Sequence, residues 1–198
     1  NDDIGIGVMG LGSDGCAYVF EDLTIHAGPA KWGAVVVAAY QRHDADRVVG
    51  EGNFGGEMVK FVVQTAAKAA NAIVSYVAVR ASRGKTVRAE PVSALHEQGK
   101  IKFVGRFDEL EDECLACTTT GYSGSKSPNR LDCCVWGVVE LVTGLTKGEE
   151  VAFNGHAITQ ATYTRRCTDS EHRDDNTTCR RRARPGGAHV VQARIHSG

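Results

Sequence analysis

The 198-residue sequence is 42% hydrophobic and 24% charged, and its formal net charge is −1. These values are ordinary for a globular protein, and the small net charge excludes a polybasic protein that coats nucleic acid through charge alone. No apolar run approaches the ~20 residues of a membrane span, and no signal peptide is visible. The seven scattered cysteines do not suit a disulfide framework and indicate a reducing, intracellular compartment.

A β-hairpin opens the chain. Two short apolar segments, 4–11 and 17–23, flank the turn signal Ser13-Asp14-Gly15. Helices and strands then alternate. The predicted elements are a helix over 29–43, a strand at 47–50, a helix over 57–70, a buried strand at 73–79, a helix over 90–98, a strand at 102–104, and helices over 107–117 and 130–143. This order predicts an α/β fold in which helices flank a mixed sheet, built from the antiparallel hairpin and parallel strands.

From about residue 148 onwards, the spacing of apolar residues no longer predicts helices or strands. Residues 164–184 contain almost no large apolar side chain and many charged ones. Such a segment cannot bury enough surface to offset the entropy lost on ordering. We therefore predict one domain over residues 1–147 and a disordered basic tail over 148–198.

Two glycine-containing motifs resemble nucleotide-binding signatures. The segment Gly50-Glu51-Gly52-Asn53-Phe54-Gly55 matches the dinucleotide pattern, but Glu51 places a carboxylate among amides that would face pyrophosphate. Gly84-Lys85-Thr86 ends like a P-loop, but the earlier glycine of that motif is replaced by Val79. Neither match is favoured. A nucleotide-binding α/β protein remains an alternative hypothesis.

A basic segment follows the strand at 73–79. Arg80, Arg83, Lys85 and Arg88 cluster without an intervening acid. The segment is either a solvated turn or a set of contacts to a nucleic-acid backbone, and we favour the second interpretation.

Two acids stand out by their position. Glu51 ends a short apolar strand, and sites in open α/β sheets form beyond the carboxyl ends of strands. Asp132 lies in the first turn of the last helix. Each acid alone is more often a solvated loop or helix-start acid. Zinc binding by Cys114, Cys117, Cys133 and Cys134 is a weaker alternative, because the second pair is adjacent in sequence on a helix.

Five segments in order resemble the motifs of phage terminase large subunits, in their C-terminal nuclease domain. They are Tyr18 to Asp22, Ala45 to Val59, Ala81 to Val92, Leu110 to Glu113 and Ser127 to Asp132. The resemblance covers about residues 3–145. It implies an RNase H-like fold in which three carboxylates bind two divalent metal ions, Mg²⁺ or Mn²⁺.

The resemblance also assigns roles to single residues. Glu51 matches the second acid of the family and Asp132 the third, while Asp22 is a candidate for a supporting position beside the metals. The first acid of the family lies on a strand before the hairpin, and we expect this chain to lack it. Asp2 and Asp3 are the remaining candidates for that role, although each is more typical of a solvated loop.

The predicted function is a metal-dependent endonuclease that cuts concatemeric viral DNA during genome packaging. The resemblance implies double-stranded DNA, the terminase small subunit and the portal protein as partners, and the cytoplasm of an infected bacterial host, or of a host carrying a prophage, as the location. The alternative is a catalytically incomplete RNase H-like module that only binds DNA or docks to the portal.

Overall fold

The computed structural model describes residues 3–51, 56–79, 85–118 and 121–146, together with short strands at 152–153, 156–157 and 189–194. Arg80 and Arg83 lie outside the described residues. The strands are β1 (Gly5–Leu11), β2 (Ala17–Asp22), β3 (Arg47–Glu51), β4 (Tyr76–Val79), β5 (Ile101–Phe103), β6 (Cys117–Thr118), β7 (Gly121–Tyr122), β8 (Ala152–Phe153), β9 (His156–Ala157) and β10 (His189–Arg194). The helices are α1 (Pro29–Arg42), α2 (Gly56–Ala69), α3 (Lys85–Glu97), α4 (Asp108–Leu115) and α5 (Asn129–Thr146).

Six strands form one mixed sheet in the order β4-β3-β10-β1-β2-β5. Strand β1 runs antiparallel to both of its neighbours, β2 and β10, whereas the β10–β3, β3–β4 and β2–β5 pairs are parallel. The predicted α/β class with a mixed sheet is confirmed, including the opening hairpin and the parallel strands that follow it. The carboxyl ends of β3, β4 and β10 therefore meet at one edge, which is also where β1 begins.

Strand β10 corrects the prediction of a disordered tail. His189–Arg194 lies in the middle of the sheet, where it pairs with β1 on one side and β3 on the other. Disorder over 148–198 is therefore wrong for these six residues. The prediction failed because the charged composition of residues 164–184 was extended to the whole segment up to residue 198. Val190 and Val191 give it the β-branched character of a strand, and the sheet pairs its backbone on both sides.

Helices α1 and α2 cover one face of the sheet. Their buried residues Trp32, Val36, Val59 and Val63 pack on β-strand residues that include Val48. The larger apolar side chains of α2 lie on its outer side, since Met58 and Phe61 are 46% and 68% exposed.

Helices α3, α4 and α5 cover the opposite face, which we call the α5 face. Val92 of α3, Leu110 of α4 and Val138 of α5 pack there against Met9 and Val49 of the sheet. The strand predicted as buried at 73–79 is shorter in the structure and forms an edge of the sheet as β4, with Ile73 95% exposed just before it. An edge strand buries less because it has one neighbour only.

Candidate metal and nuclease site

Glu51 and Asp132 lie on the same face of the sheet. Val49 is fully buried in the cluster formed with α5, while Val48 is buried in the cluster formed with α1 and α2. Successive side chains of a strand point to opposite faces, so Glu51 belongs to the α5 face with Val49. Asp132 is buried in the first turn of α5, on the same side of the sheet.

The two acids are also level along the sheet. Glu140 of α5 contacts Arg47 at the start of β3, with Oε1 3.3 Å from Nε. Asp132 lies eight residues before Glu140, about 12 Å along a helix axis, and Glu51 lies four residues after Arg47, about 13 Å along a strand. Because α5 runs parallel to β1 and therefore antiparallel to β3, the two steps lead in the same direction. We call Glu51 and Asp132 the acid pair.

The close approach of α5 to β1 fixes the height of Asp132. A Cβ atom built on Gly5 would lie 2.4 Å from the backbone oxygen of Asn129 and 3.2 Å from Cβ of Cys133. Only glycine at position 5 permits this contact. The Nδ2 atom of Asn129 also donates a hydrogen bond of 3.0 Å to the backbone oxygen of Asp3. The first turn of α5 is therefore held directly against the start of β1.

Helix α4 holds the same turn from the other side. A carboxylate oxygen of Glu113 accepts a hydrogen bond of 2.9 Å from the backbone N–H of Leu131, and burial raises the pKa of Glu113. Arg130 binds Glu109 of α4 and also lies 3.4 Å from Asp22. Sequence reasoning assigned no role to Glu113, Glu109 or Arg130. The five acids that surround Leu110 between positions 108 and 113 were the available signal.

A β-bulge aims Asp22 at α5. The pairing of β1 with β2 shifts between Val8 and Met9, so that Val8 faces Glu21 whereas Met9 faces Val19. One extra residue in β2 reverses the alternation of its side chains. Asp22 consequently pairs with Gly7, and its carboxylate lies 3.4 Å from Arg130.

Asp22 and Glu51 are too far apart to share one ion. Three strand spacings of about 4.8 Å separate β2 from β3. Asp22 contacts the Arg130 side of α5, whereas Asp132 shares its helix row with Glu140 on the β3 side. The structure thus places Glu51 and Asp132 on the same face of the sheet and connects Asp22 to the first turn of α5 through Arg130.

Strand β10 is the neighbour of β3 at the strand end that carries Glu51. This strand lies between β3 and the hairpin and pairs Ala193 with Gly50, so that Arg194 and Glu51 are the next residues along the two strands. Its sequence, HVVQAR, contains no acid. Asp3 lies just before β1 and contacts His26 at 3.2 Å, and Asp2 lies outside the described residues.

The donor chemistry of the acid pair suits a divalent ion of the Mg²⁺ type, because both groups are hard carboxylate oxygens. Among the described side chains, no three His, Cys, Asp or Glu residues are grouped as a metal site. Two carboxylates can hold such an ion when water or phosphate oxygens supply the remaining ligands. The acid pair therefore offers two protein carboxylates, fewer than the three that the resemblance implies.

The cysteines do not favour zinc. Burial raises the pKa of Cys114 to about 11 and that of Cys134 to about 12. A structural zinc site needs four ligands, whereas the described cysteines belong to no group of three or more metal-binding side chains. In the described part of the chain none of these cysteines forms a disulfide, and Cys114, Cys133 and Cys134 pack in the core on the α5 face.

The basic segment is described only in part. Lys85 is the first residue of α3, and Arg88 lies in the first turn of that helix. The guanidinium carbon of Arg88 lies 4.7 Å from the centre of the Trp136 ring. Arg88 therefore packs on α5, one helical turn beyond Asp132.

Gly50 has a structural explanation that needs no dinucleotide. A Cβ atom at this position would lie 2.2 Å from the hydroxyl oxygen of Tyr76. The glycine accommodates the half-buried Tyr76 on the face opposite Glu51. Residues 52–55, the remainder of the predicted motif, lie outside the described residues.

No described helix combines the length and apolar character needed to cross a bilayer. Comparison with curated proteins and with solved structures gave no match.

The sequence model of the terminase RNaseH-like domain matches residues 1–141, which is more than half of the chain and contains the hairpin, β3 and the first turns of α5. The match supports, in general terms, a nuclease role in terminase. The chain therefore belongs to the terminase RNase H-like domain family.

Proposed function

We propose that this domain is a divalent-metal-dependent DNA endonuclease that cuts concatemeric viral DNA during genome packaging. The observation that carries the proposal is the acid pair: Glu51 and Asp132 share one face of the sheet and lie level at its carboxyl edge. Carboxylates in that arrangement can hold Mg²⁺ or Mn²⁺. A bound ion would polarise the scissile phosphate and lower the pKa of an attacking water.

The protein's own residues would prepare this chemistry. Asn129, Gly5 and Glu113 fix the first turn of α5 and with it the Asp132 carboxylate. Strand β3 fixes Glu51 through its parallel pairing with β4 and β10. Rigid support of this kind matters because ligand groups displaced by 1 Å lose much of their effect.

DNA would be bound through its phosphates. We assign backbone contacts to Arg80, Arg83, Lys85 and Arg88, which follow β4 in the sequence. Strand β4 ends at Val79, which pairs with Glu51. Such contacts give affinity without sequence preference. Double-stranded DNA is the proposed substrate. The terminase small subunit and the portal are the proposed protein partners, and the cytoplasm of the infected bacterium, or of a host carrying a prophage, is the proposed location.

The test is cleavage of a supercoiled plasmid with Mn²⁺, using Glu51→Gln and Asp132→Asn to preserve side-chain shape. We expect each substitution to lower the cleavage rate by roughly 100-fold or more, because loss of a ligand should exceed the 10–100-fold effect of residues that only support a ligand. Asp112→Asn is the control, since Asp112 is an exposed acid of α4. Cleavage by the two variants at the wild-type rate would sink the assignment.

The second candidate is a catalytically incomplete module that binds DNA or docks to the portal. It is favoured by one observation: the central strand β10 contributes no acid, so the described residues hold two aligned carboxylates instead of three. Electron paramagnetic resonance of Mn²⁺ separates the candidates. Mn²⁺ binding and DNA binding without plasmid cleavage would support the module, whereas metal-dependent cleavage would exclude it.

A further inference from the structure

The two edges of the sheet differ in their side chains. Strand β5, at one edge, contains Lys102 and follows Lys100. Lysine side chains on an edge strand oppose pairing with another chain. At the other edge, residues 69–79, which include β4, contain no charged residue and no proline. The β4 edge therefore lacks the features that prevent the addition of a further strand.

The backbone of β4 presents hydrogen-bonding groups on its outer side. The N–H of Val48 donates to the backbone oxygen of Ser75 at 2.7 Å, which fixes the phase of the parallel β3–β4 ladder. In that phase the backbone groups of Val77 face β3, whereas those of Tyr76 and Ala78 point away from the sheet. In the part of the chain that the structure describes, β4 pairs with β3 alone.

Helix α2 extends this edge with a row of side chains. Four residues at intervals of three and four form the row, which we call the α2 row: Glu57, Phe61, Gln64 and Lys68. Phe61 is 68% exposed. Gln64 and Lys68 line a groove together with residues 72–74, which lead into β4. The α2 row and the β4 edge are therefore one continuous surface.

Helix α1 contacts a different side of α2. A Cβ atom on Gly33 of α1 would lie 2.8 Å from Cγ1 of Val62 and 3.2 Å from Cβ of Ala66. These two residues lie roughly 150° around the helix from the α2 row, so the row faces away from α1. Helix α2 contacts both β3 and β4 and lies over the space between them. We call the α2 row and the outer edge of β4 the β4 surface.

We propose that the β4 surface is the contact between two copies of this chain. The β4 strands pair antiparallel about a two-fold axis near Val77. Tyr76 of each copy then exchanges both backbone hydrogen bonds with Ala78 of the other. The same axis sets the two α2 helices antiparallel. Because α2 lies over the space between β3 and β4, the helix axes are about 10 Å apart, a normal packing distance.

Charge complementarity favours a second copy as the occupant. The α2 row begins with Glu57 and ends with Lys68, and both side chains are exposed. Antiparallel helices bring the Glu57 end of one copy to the Lys68 end of the other, with Phe61 between the two ends. A surface that is complementary to itself is what a two-fold dimer requires.

The dimer has a consequence that rests on the proposed nuclease function. The two-fold axis is perpendicular to the sheet, so both α5 faces point the same way. Glu51 pairs with Val79, two residues from Val77. Three strand spacings separate β3 of one copy from β3 of the other, which places the two Glu51 residues about 20 Å apart. Each copy would then cut one strand of a duplex.

Sedimentation of the full chain tests the strand contact. We expect a monomer–dimer equilibrium with a micromolar dissociation constant. Ala78→Pro removes an N–H that only the dimer uses, at an edge position that tolerates proline. The loss of two hydrogen bonds per dimer should raise the dissociation constant roughly ten-fold. A wild-type monomer at roughly 100 µM overturns the proposal. Slow hydrogen exchange at Tyr76 and Ala78 in that monomer would assign the edge to another segment of the same chain.

Charge reversals test the helix contact. Glu57→Lys and Lys68→Glu each place like charges together and should raise the dissociation constant roughly five-fold. An equal mixture of these two variants restores both ion pairs and should form heterodimers with wild-type affinity. Lys102→Glu makes the same change at the β5 edge and should have no effect. Equal dissociation constants for Lys68→Glu and Lys102→Glu would exclude α2 from the interface.

Plasmid cleavage separates the dimer from the proposed function. With Mn²⁺, the wild type should convert supercoiled plasmid to linear product, whereas Ala78→Pro at the same concentration should accumulate nicked circles. A dimer that cleaves nothing refutes the nuclease function and keeps the interface. An unchanged ratio of linear to nicked product in a monomeric Ala78→Pro variant refutes the paired cut.

Discussion

Alanine at position 5 should lift the first turn of α5 from the sheet. The added Cβ would lie 2.4 Å from the backbone oxygen of Asn129 and 3.1 Å from its carbonyl carbon. Carbon–oxygen contacts in proteins begin at about 3.3 Å, so strand and helix have to separate by roughly 0.9 Å. The obstacle is backbone, which no rotamer change can remove.

The separation has a measurable cost in stability. Overpacking of this kind costs about 1–3 kcal/mol, and each kcal/mol shifts the unfolding temperature of a protein of this size by about 2–4 °C. We therefore expect Gly5→Ala to lower the unfolding temperature by roughly 2–12 °C. Because Asn129 and Asp132 share one helical turn, Mn²⁺ binding should weaken in the same variant.

The matched control lies on the same strand and the same face. A Cβ at Gly7 would meet Cε of Met9 at 3.0 Å and Sγ of Cys133 at 3.4 Å. Both are ends of side chains that can move, so Gly7→Ala should cost less. Thermal and urea unfolding followed by circular dichroism provide the assay. If Gly5→Ala unfolds at the wild-type temperature, or if both variants lose the same stability, the steric reasoning is refuted.

Three further predictions concern single contacts. Glu113→Ala should cost about 1 kcal/mol and speed hydrogen exchange at the Leu131 amide; unchanged exchange would contradict the capping role. Burial raises the pKa of Tyr76 to about 12 from 10.0, so the stability it gives is intact below pH 10 and is lost as pH rises towards 12. Tyr76→Phe should remove this decrease in stability at high pH. If the stabilities of the two proteins change with pH in parallel, the prediction is refuted. Val191→Asp should lower the free energy of unfolding by roughly 3 kcal/mol, because position 191 pairs with the buried Val8; an unaffected urea transition would exclude β10 from the core.

Much of the fold was predictable from local patterns. The hairpin, α1, β3 and α5 all lie within a few residues of their predicted bounds, because turn residues and the period of apolar side chains are local properties. The buried face of α2 was less predictable. Met58 and Phe61 are larger apolar residues than the valines beside them, but Val59 and Val63 are the ones that are buried.

The acids of the site were predictable only one at a time. Glu51 and Asp132 were found from a strand end and a helix start, with family resemblance to connect them. Their common face and level depend on the register of β3 and on the contact of Arg47 with Glu140. The orientation of Asp22 depends on a one-residue bulge in the hairpin. Neither the turn residues nor the spacing of apolar residues predicts this bulge.

The sequence by itself determined the α/β class, the order of the first elements, the chemistry of the two acids and the family. Only the tertiary structure decided that His189–Arg194 forms the central strand, that Glu113 and Asn129 hold the first turn of α5, and that Arg88 rests on Trp136. The physical reason is the range of the forces involved. Helix and turn preferences act over a few residues, whereas strand pairing and side-chain contacts join residues more than a hundred positions apart, and their partners are chosen only when the sheet forms.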